Sequence, residues 1–119
     1  DVVAAVAARR HSGRPVTTAS VDELSFLNAA NLDETVVLAA RVTYVGRTSM
    51  EVRVDTFVER LDGRRDPVNR AYLVMVALDE NGEPTEVPGL VLETEEERAE
   101  WADGERRRLL RNQRRHDGA

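Results

Sequence analysis

Seven consecutive residues near the start of the chain, Val2, Val3, Ala4, Ala5, Val6, Ala7 and Ala8, would form a helix without a polar face. A helix that is apolar all round is predicted to be buried on every side. Its side chains are also small, so neighbouring backbone can approach closely, as it would if a sheet wrapped around the helix. Arg9, Arg10 and His11 place positive charge at the C-terminal end of the helix dipole, and Gly13 and Pro15 stop the helix. The only acid at its head is Asp1. One reading makes Asp1 a dipole partner, worth about 0.3–1 kcal/mol. The other places its carboxylate at the mouth of a core, where a base is held away from bulk water.

Beyond this helix the chain reads as strands. "VTTASVDELSFL" is rich in Thr and Val and bounded by turn formers, "NAANLDE" breaks the pattern, and "TVVLAARVTYV" resumes it. In that second strand Val36, Leu38, Ala40, Val42 and Tyr44 are expected on one face, and Val37, Ala39, Arg41 and Thr43 on the other. The third has the cleanest alternation: Met50, Val52, Val54, Thr56 and Val58 against Glu51, Arg53, Asp55, Phe57 and Glu59, which predicts one wet face. "LDGRRDPVN" reads as a loop around an Asp-Gly turn. "RAYLVMVALD" is apolar on both faces and therefore central, and "ENGEP" is the next turn. One buried helix and a meander of four antiparallel strands make an α+β arrangement in which the sheet covers the helix.

From Glu93 the chain turns into charge. "ETEEERAEWADGERRRLLRNQRRHDGA" begins acidic and ends basic, which suits a helix dipole, and Asp103 with Arg107 has helical spacing. The tail is expected to be a solvated helix that frays at its end, with Trp101, Leu109 and Leu110 available for docking and Gly104 weakening it by about 1 kcal/mol relative to Ala. The division is thus 1–92 as the folded domain and 93–119 as a charged helical tail.

Charge and composition exclude several functions. The chain has 119 residues, enough for one domain with a real core. Its 22 acids and 17 bases give a net charge of −5, mixed along the sequence, which argues against nucleic acid or an anionic membrane as partner. All 17 basic residues are Arg, the side chain suited to gripping phosphates and carboxylates with a planar fork. No cysteine means no thiol nucleophile and no cysteine metal site, and His11 and His116 do not suggest a metal pair. No apolar run approaches the roughly 18 residues of a membrane span. A cytoplasmic location is expected.

The segment "VGRTSMEV" carries the clearest binding signal. Gly46 lies between two strand patterns and is followed by Arg47, Thr48 and Ser49, so a tight turn would set backbone N–H groups beside an Arg and two hydroxyls, a combination suited to phosphate oxygens. The alternative is an ordinary hairpin turn with solvated polar residues.

Three stretches in order, "DVVAAVAARRHSGRPVTTASVDELSFL", "ARVTYVGRTSMEVRVDTFVE" and "RAYLVMVALDENGEPTEVPGL", resemble the hotdog-fold acyl-CoA thioesterases, in particular the acyl-CoA hydrolase group that includes the cytosolic long-chain and brain-type enzymes. The resemblance implies a central helix wrapped by an antiparallel sheet, dimers that pair sheet to sheet, and a trimer of such dimers. It implies hydrolysis of fatty acyl-CoA to free fatty acid and CoA, with no cofactor besides the CoA of substrate and product and no metal. The catalytic Asp of the family lies near the start of the central helix, which places that role on Asp1. The turn that contributes to the CoA site in relatives corresponds to Gly46, Arg47, Thr48 and Ser49. The acyl chain is expected along the helix and the inner sheet face, where the alanines would leave room.

The sequence departs from the family pattern in two places. Relatives carry a first strand and a loop with an Asn and a Gly-Gly turn ahead of the helix, and none of these precedes Asp1 here. The natural protein is expected to extend upstream, because a buried helix rarely begins a polypeptide without a cap. "NAANLDE" stands where relatives have a Gly-Asp turn. A non-catalytic hotdog module that binds acyl-CoA or serves assembly is the alternative function. A hotdog dehydratase fits less well, since His11 lies at the wrong end of the helix for a catalytic imidazole.

Overall fold

The computed structural model describes residues 2–26 and 34–117. Asp1 and most of "NAANLDE" lie outside them. Helix α1 (Val2–Ser12) is followed by strands β1 (Val16–Phe26), β2 (Thr35–Val45), β3 (Ser49–Glu59) and β4 (Arg65–Ala77), and by helix α2 (Glu95–Asp117). The four strands form one antiparallel sheet in the order β1-β4-β3-β2. Strands β2, β3 and β4 follow one another as hairpins, whereas β1 closes on β4 and leaves β1 and β2 as the edges. The doubly apolar "RAYLVMVA" accordingly occupies a central position, flanked on both sides.

Helix α1 lies against all four strands. Ala4 and Ala8, one turn apart, are 0% exposed and meet Met50, Val52, Met75 and Ala77 of the sheet. The alanines bring the helix backbone close to the sheet, and the open space along the helix lies to one side, between α1 and the inner face of β2. Burial on every side is also not what the fold provides. Val2 is 76% exposed, and Val3, Val6 and Ala7 line an open groove beside β2. A single sheet covers only one stripe of a helix, and a uniformly apolar sequence does not say which. The helix ends as expected: Gly13 N–H donates to Arg9 O at 2.8 Å and Ser12 Oγ to Ala8 O at 2.9 Å.

Two irregularities change the expected faces. The β2–β3 register shifts between Val42 and Tyr44, which places an extra residue in β2. Ala40 and Val42 pack toward the core, then both Thr43 and Tyr44 turn to the other side, and Val45 returns to the core. Tyr44 therefore does not share a face with Val42, as unbroken alternation would require. In β4 the register slips at Phe57, which pairs with Pro67 after Thr56 pairs with Asn69, leaving the buried Val68 as the extra residue. Pro67 has no N–H to give to a ladder, and a bulge beyond the last described β1 pair, Phe26 with Asn69, accommodates it. This is why β4 starts at Arg65, inside what reads as loop.

The charged tail is a docked helix. Its start is a capping box: Thr94 Oγ1 accepts from Glu97 N–H at 3.1 Å, and Glu97 Oε1 accepts from Thr94 N–H at 2.9 Å and Glu93 N–H at 3.0 Å. The helix crosses the outer face of the sheet, the face expected to be wet. There Glu51 is only 4% exposed. Its carboxylate accepts from Arg107 Nε and Nη2, both at 2.8 Å, and from Thr43 Oγ1 at 2.7 Å. The Arg107 guanidinium also stacks on the Tyr72 ring, 3.7 Å from its centroid. Asp103, the expected partner of Arg107, pairs with Arg106 instead at 2.9 Å.

Gly104 is the point of closest approach. A Cβ there would lie 2.6 Å from Tyr44 Cβ and 2.9 Å from Glu51 Oε1, so only glycine lets the helix backbone rest on β2 and β3. Beside it, Trp101 stacks on Tyr44 with ring centroids 4.4 Å apart. Farther along the sheet, Glu100 holds both Arg41 and, at 2.9 Å, Arg53 Nη1, while Asp55 bridges Arg53 and Arg70 at 2.8 and 2.7 Å. Leu109 and Leu110, by contrast, are exposed.

Candidate active site

The turn Gly46–Ser49 joins β2 to β3 and is fixed from three directions. Gly46 N–H donates to Ser49 O at 2.9 Å, closing the turn itself. Thr48 O accepts from Ala77 N–H at 3.0 Å, tying the turn to the end of β4, and Arg47 O accepts from Val87 N–H at 2.9 Å. The backbone is thus held while the Arg47 side chain is exposed to solvent and those of Thr48 and Ser49 are half-buried. All four predicted binding residues sit together at one end of the sheet.

Gly46 has a reason that the turn pattern does not contain. Its backbone is not in the left-handed region. Instead, Arg108 of α2 lies directly over it: a Cβ at Gly46 would be 2.9 Å from Arg108 Nη1 and 3.1 Å from Ser49 Oγ. Arg108 Nη1 also points to Tyr44 Oη at 3.4 Å. Nothing local marks Arg108 in the sequence, where its only signal is membership of an Arg-rich helical run.

A strap formed by residues 85–93 connects this turn to α1. Thr85 N–H donates to Ala77 O at 2.9 Å, Val87 and Leu90 pack against the core, and His11 Nε2–H donates to Pro88 O at 2.8 Å. His11 therefore ends α1 as a clasp on the strap. Among the described residues no group of His, Asp and Glu side chains is placed to hold a metal ion.

Between α1 and the β2 edge runs the open groove, about 530 Å³, walled by Val3, Val6, Ala7, Leu38, Ala40 and Val42. Asp1, the expected catalytic carboxylate, lies outside the described residues. Among the described residues no helix is long and apolar enough to cross a membrane.

Comparison with known proteins assigns this arrangement. The family model of the thioesterase superfamily matches residues 1–62. A Bacillus subtilis (strain 168) protein described as an uncharacterized acyl-CoA thioester hydrolase, YkhA, is 44% identical over 98 residues, which are 82% of this chain and 57% of that protein. The chain thus spans less than two thirds of the length of that relative. Among solved structures, an acyl-CoA hydrolase from Staphylococcus aureus in complex with butyryl coenzyme A, coenzyme A and coenzyme A disulfide superposes with a TM-score of 0.88 at 34% identity, over 97% of this chain and 71% of that one. An apo-hexameric acyl-CoA thioesterase superposes with a TM-score of 0.86 at 38% identity, over 93% of this chain and 72% of that one. The expected hotdog fold, an antiparallel sheet packed on α1, is borne out by these superpositions. On fold and on sequence alike, the chain belongs to the thioesterase superfamily.

Proposed function

We propose that this chain carries the thioesterase domain of an acyl-CoA hydrolase, which splits fatty acyl-CoA into free fatty acid and CoA. The observation that carries this reading is the superposition, across nearly the whole chain, on an acyl-CoA hydrolase that holds butyryl coenzyme A. The Asp1 carboxylate takes a proton from a water, and the hydroxide adds to the thioester carbonyl. Amides at the start of α1, or an amide side chain supplied by a partner subunit, would stabilise the oxyanion. The tetrahedral intermediate then breaks its C–S bond and releases CoA as a thiolate. A thiol with an ordinary pKa of about 8.5 leaves readily, so little acid assistance is needed. Direct attack by the carboxylate, with later hydrolysis of the anhydride, is the other route open to the same residue.

The turn Gly46, Arg47, Thr48 and Ser49 binds CoA in this proposal. Support comes from the exposed Arg47 side chain on an anchored backbone, with the Thr48 and Ser49 hydroxyls alongside. We further propose assembly as dimers and a trimer of dimers, in line with the hexameric thioesterase on which the chain superposes. The acyl-CoA hydrolase resemblance also supports a cytoplasmic location and a reaction that needs no cofactor.

A thiol-release assay on acyl-CoA substrates of increasing chain length tests the activity. Asp1→Ala is expected to lose more than about 100-fold in kcat, as removal of a general base does. An Asp1→Ala protein that hydrolyses palmitoyl-CoA as fast as the parent would show that Asp1 is not the base. A parent protein that binds acyl-CoA without turnover would instead favour the non-catalytic binding module. Arg47→Ala is expected to raise KM more than it lowers kcat.

A further inference from the structure

The run of three arginines in α2 divides by what each one meets. Arg106 pairs with Asp103 at the surface, and Arg107 is bound on two nitrogens by the buried Glu51. Arg108 is half-buried, yet among the described residues it makes no ion pair. Its polar contact is one long hydrogen bond, 3.4 Å, to the neutral Tyr44 hydroxyl, and its guanidinium stands 6.0 Å from the centre of the Tyr44 ring. A guanidinium carries five N–H donors, so most of them have no protein partner among the described residues and are open to a ligand or to water. The bulge in β2 and the glycine contact at Gly104 hold α2 where Arg108 reaches over the turn.

Beside that turn the chain gathers several hydrogen-bond donors. Arg108 Nη1 and Ser49 Oγ each lie about 3 Å from where a Cβ on Gly46 would stand, so both flank the Gly46 backbone. Arg47 and Thr48 follow Gly46 in the same anchored turn. Two guanidinium-bearing residues and two hydroxyls on a fixed backbone form a site for an anion with several oxygens, and a phosphate is the fit.

We infer that Arg108 is a phosphate-binding residue, so that the C-terminal helix and the β2–β3 turn together form one site for a phosphate group of CoA. The inference rests on the proposal that this turn holds CoA, and it adds α2 to the binding machinery. Glu51, Arg107 and Gly104 then act as positioning residues, fixing the helix from which Arg108 extends.

Calorimetric titration of CoA and of 3′-dephospho-CoA into the purified protein tests this, with Arg108→Ala, Arg108→Gln, Arg108→Lys, Arg47→Ala and the surface control Arg106→Ala. Arg108→Gln keeps a stem against Tyr44, so a binding loss shared by Ala and Gln does not arise from misfolding. Arg108→Ala and Arg108→Gln are expected to weaken CoA binding by about tenfold, the scale of a lost charge-assisted hydrogen bond, with Lys recovering part and Arg106→Ala unchanged. In turnover the loss should appear in KM and not in kcat. A loss that disappears with 3′-dephospho-CoA assigns Arg108 to the 3′-phosphate, and one that persists assigns it to the diphosphate; either supports the inference. Arg108 variants that bind CoA as the parent does, while Arg47→Ala is weakened, overturn the inference and leave the CoA-binding turn standing. If Arg47→Ala is also unaffected, the reading of the turn itself falls.

Discussion

Replacement of Arg107 by Ala is expected to cost far more than a surface position on a charged helix would suggest. The substitution removes two 2.8 Å hydrogen bonds to Glu51 and the stacking on Tyr72, leaving a carboxylate that is 4% exposed with only the Thr43 hydroxyl. Breaking a buried ion pair by removing one partner costs about 3–5 kcal/mol, because the remaining charge stays desolvated and uncompensated. At roughly 3–5 °C per kcal/mol for a domain of this size, the melting temperature should fall by about 10–20 °C. Trp101 is the only tryptophan in the chain and stacks on Tyr44 inside the α2 contact, so its fluorescence reports directly on docking of the helix. Urea unfolding followed by Trp101 emission should therefore show an earlier transition, together with a red shift before it if α2 lifts from the sheet ahead of global unfolding. Replacing Glu51 and Arg107 together by leucine should restore much of the loss, since neither charge of this pair then remains buried. An Arg107→Ala protein within about 1 kcal/mol of the parent, with unaltered Trp101 emission, would refute the claim that this pair fastens the helix.

Two further perturbations probe the same helix. Gly104→Ala gains about 1 kcal/mol in helix propensity but forces a Cβ to 2.6 Å from Tyr44 Cβ, an atom fixed to the strand backbone. Overpacking of about 1–3 kcal/mol should prevail, so the melting temperature is expected to drop, and a rise would contradict the close contact. Hydrogen bonds from the Glu93 and Thr94 amides hold the Glu97 carboxyl below its ordinary value of 4.5. A carboxylate with a lowered folded pKa contributes stability above its unfolded value and loses it as pH falls through the folded one. Protection of the Glu93 and Thr94 amides, measured relative to their intrinsic exchange rate at each pH, should accordingly fall on acidification below pH 4.5. Glu97→Gln should show a flatter dependence, and an identical acid response in that variant would dissociate the effect from the cap.

The inner side of this fold was legible from spacing alone, and the outer side was not. "TVVLAARVTYV" matches β2 from Thr35 to Val45, and the alternation of Met50, Val52 and Val54 identifies the face that meets α1, because period-two burial is written into each strand separately. Glu51 on the opposite face looks wet for the same reason. Its burial depends on Arg107, more than fifty residues later, and nothing local to either residue announces the other. The extra residue near Thr43 is similarly invisible, since a bulge inserts no distinctive amino acid here. The Thr94-to-Glu97 spacing, by contrast, is a readable helix start that lies just inside the boundary set by charge at Glu93. At the site, Gly-Arg-Thr-Ser is legible as a turn that carries an Arg and two hydroxyls. Gly46 looks like a requirement of that turn, and only the placement of α2 reveals it as clearance for Arg108.

The strand order also bears on how the chain is made. During synthesis β1 emerges well before the strand it pairs with: Thr17 and its partner Val76 are separated by about 60 residues, whereas β2, β3 and β4 zip together as neighbours. Closing so large a loop costs entropy that adjacent hairpins do not incur, so the three-strand meander should assemble first and β1 should join it last. Pulsed hydrogen exchange during refolding would show the Met50–Met75 pairing protected before Thr17–Val76, and simultaneous protection would argue for a single concerted closure. Until β4 is complete, the nascent protein carries an unpaired β-strand, which makes the interval between these two events the period in which a chaperone or an aggregate competes for it.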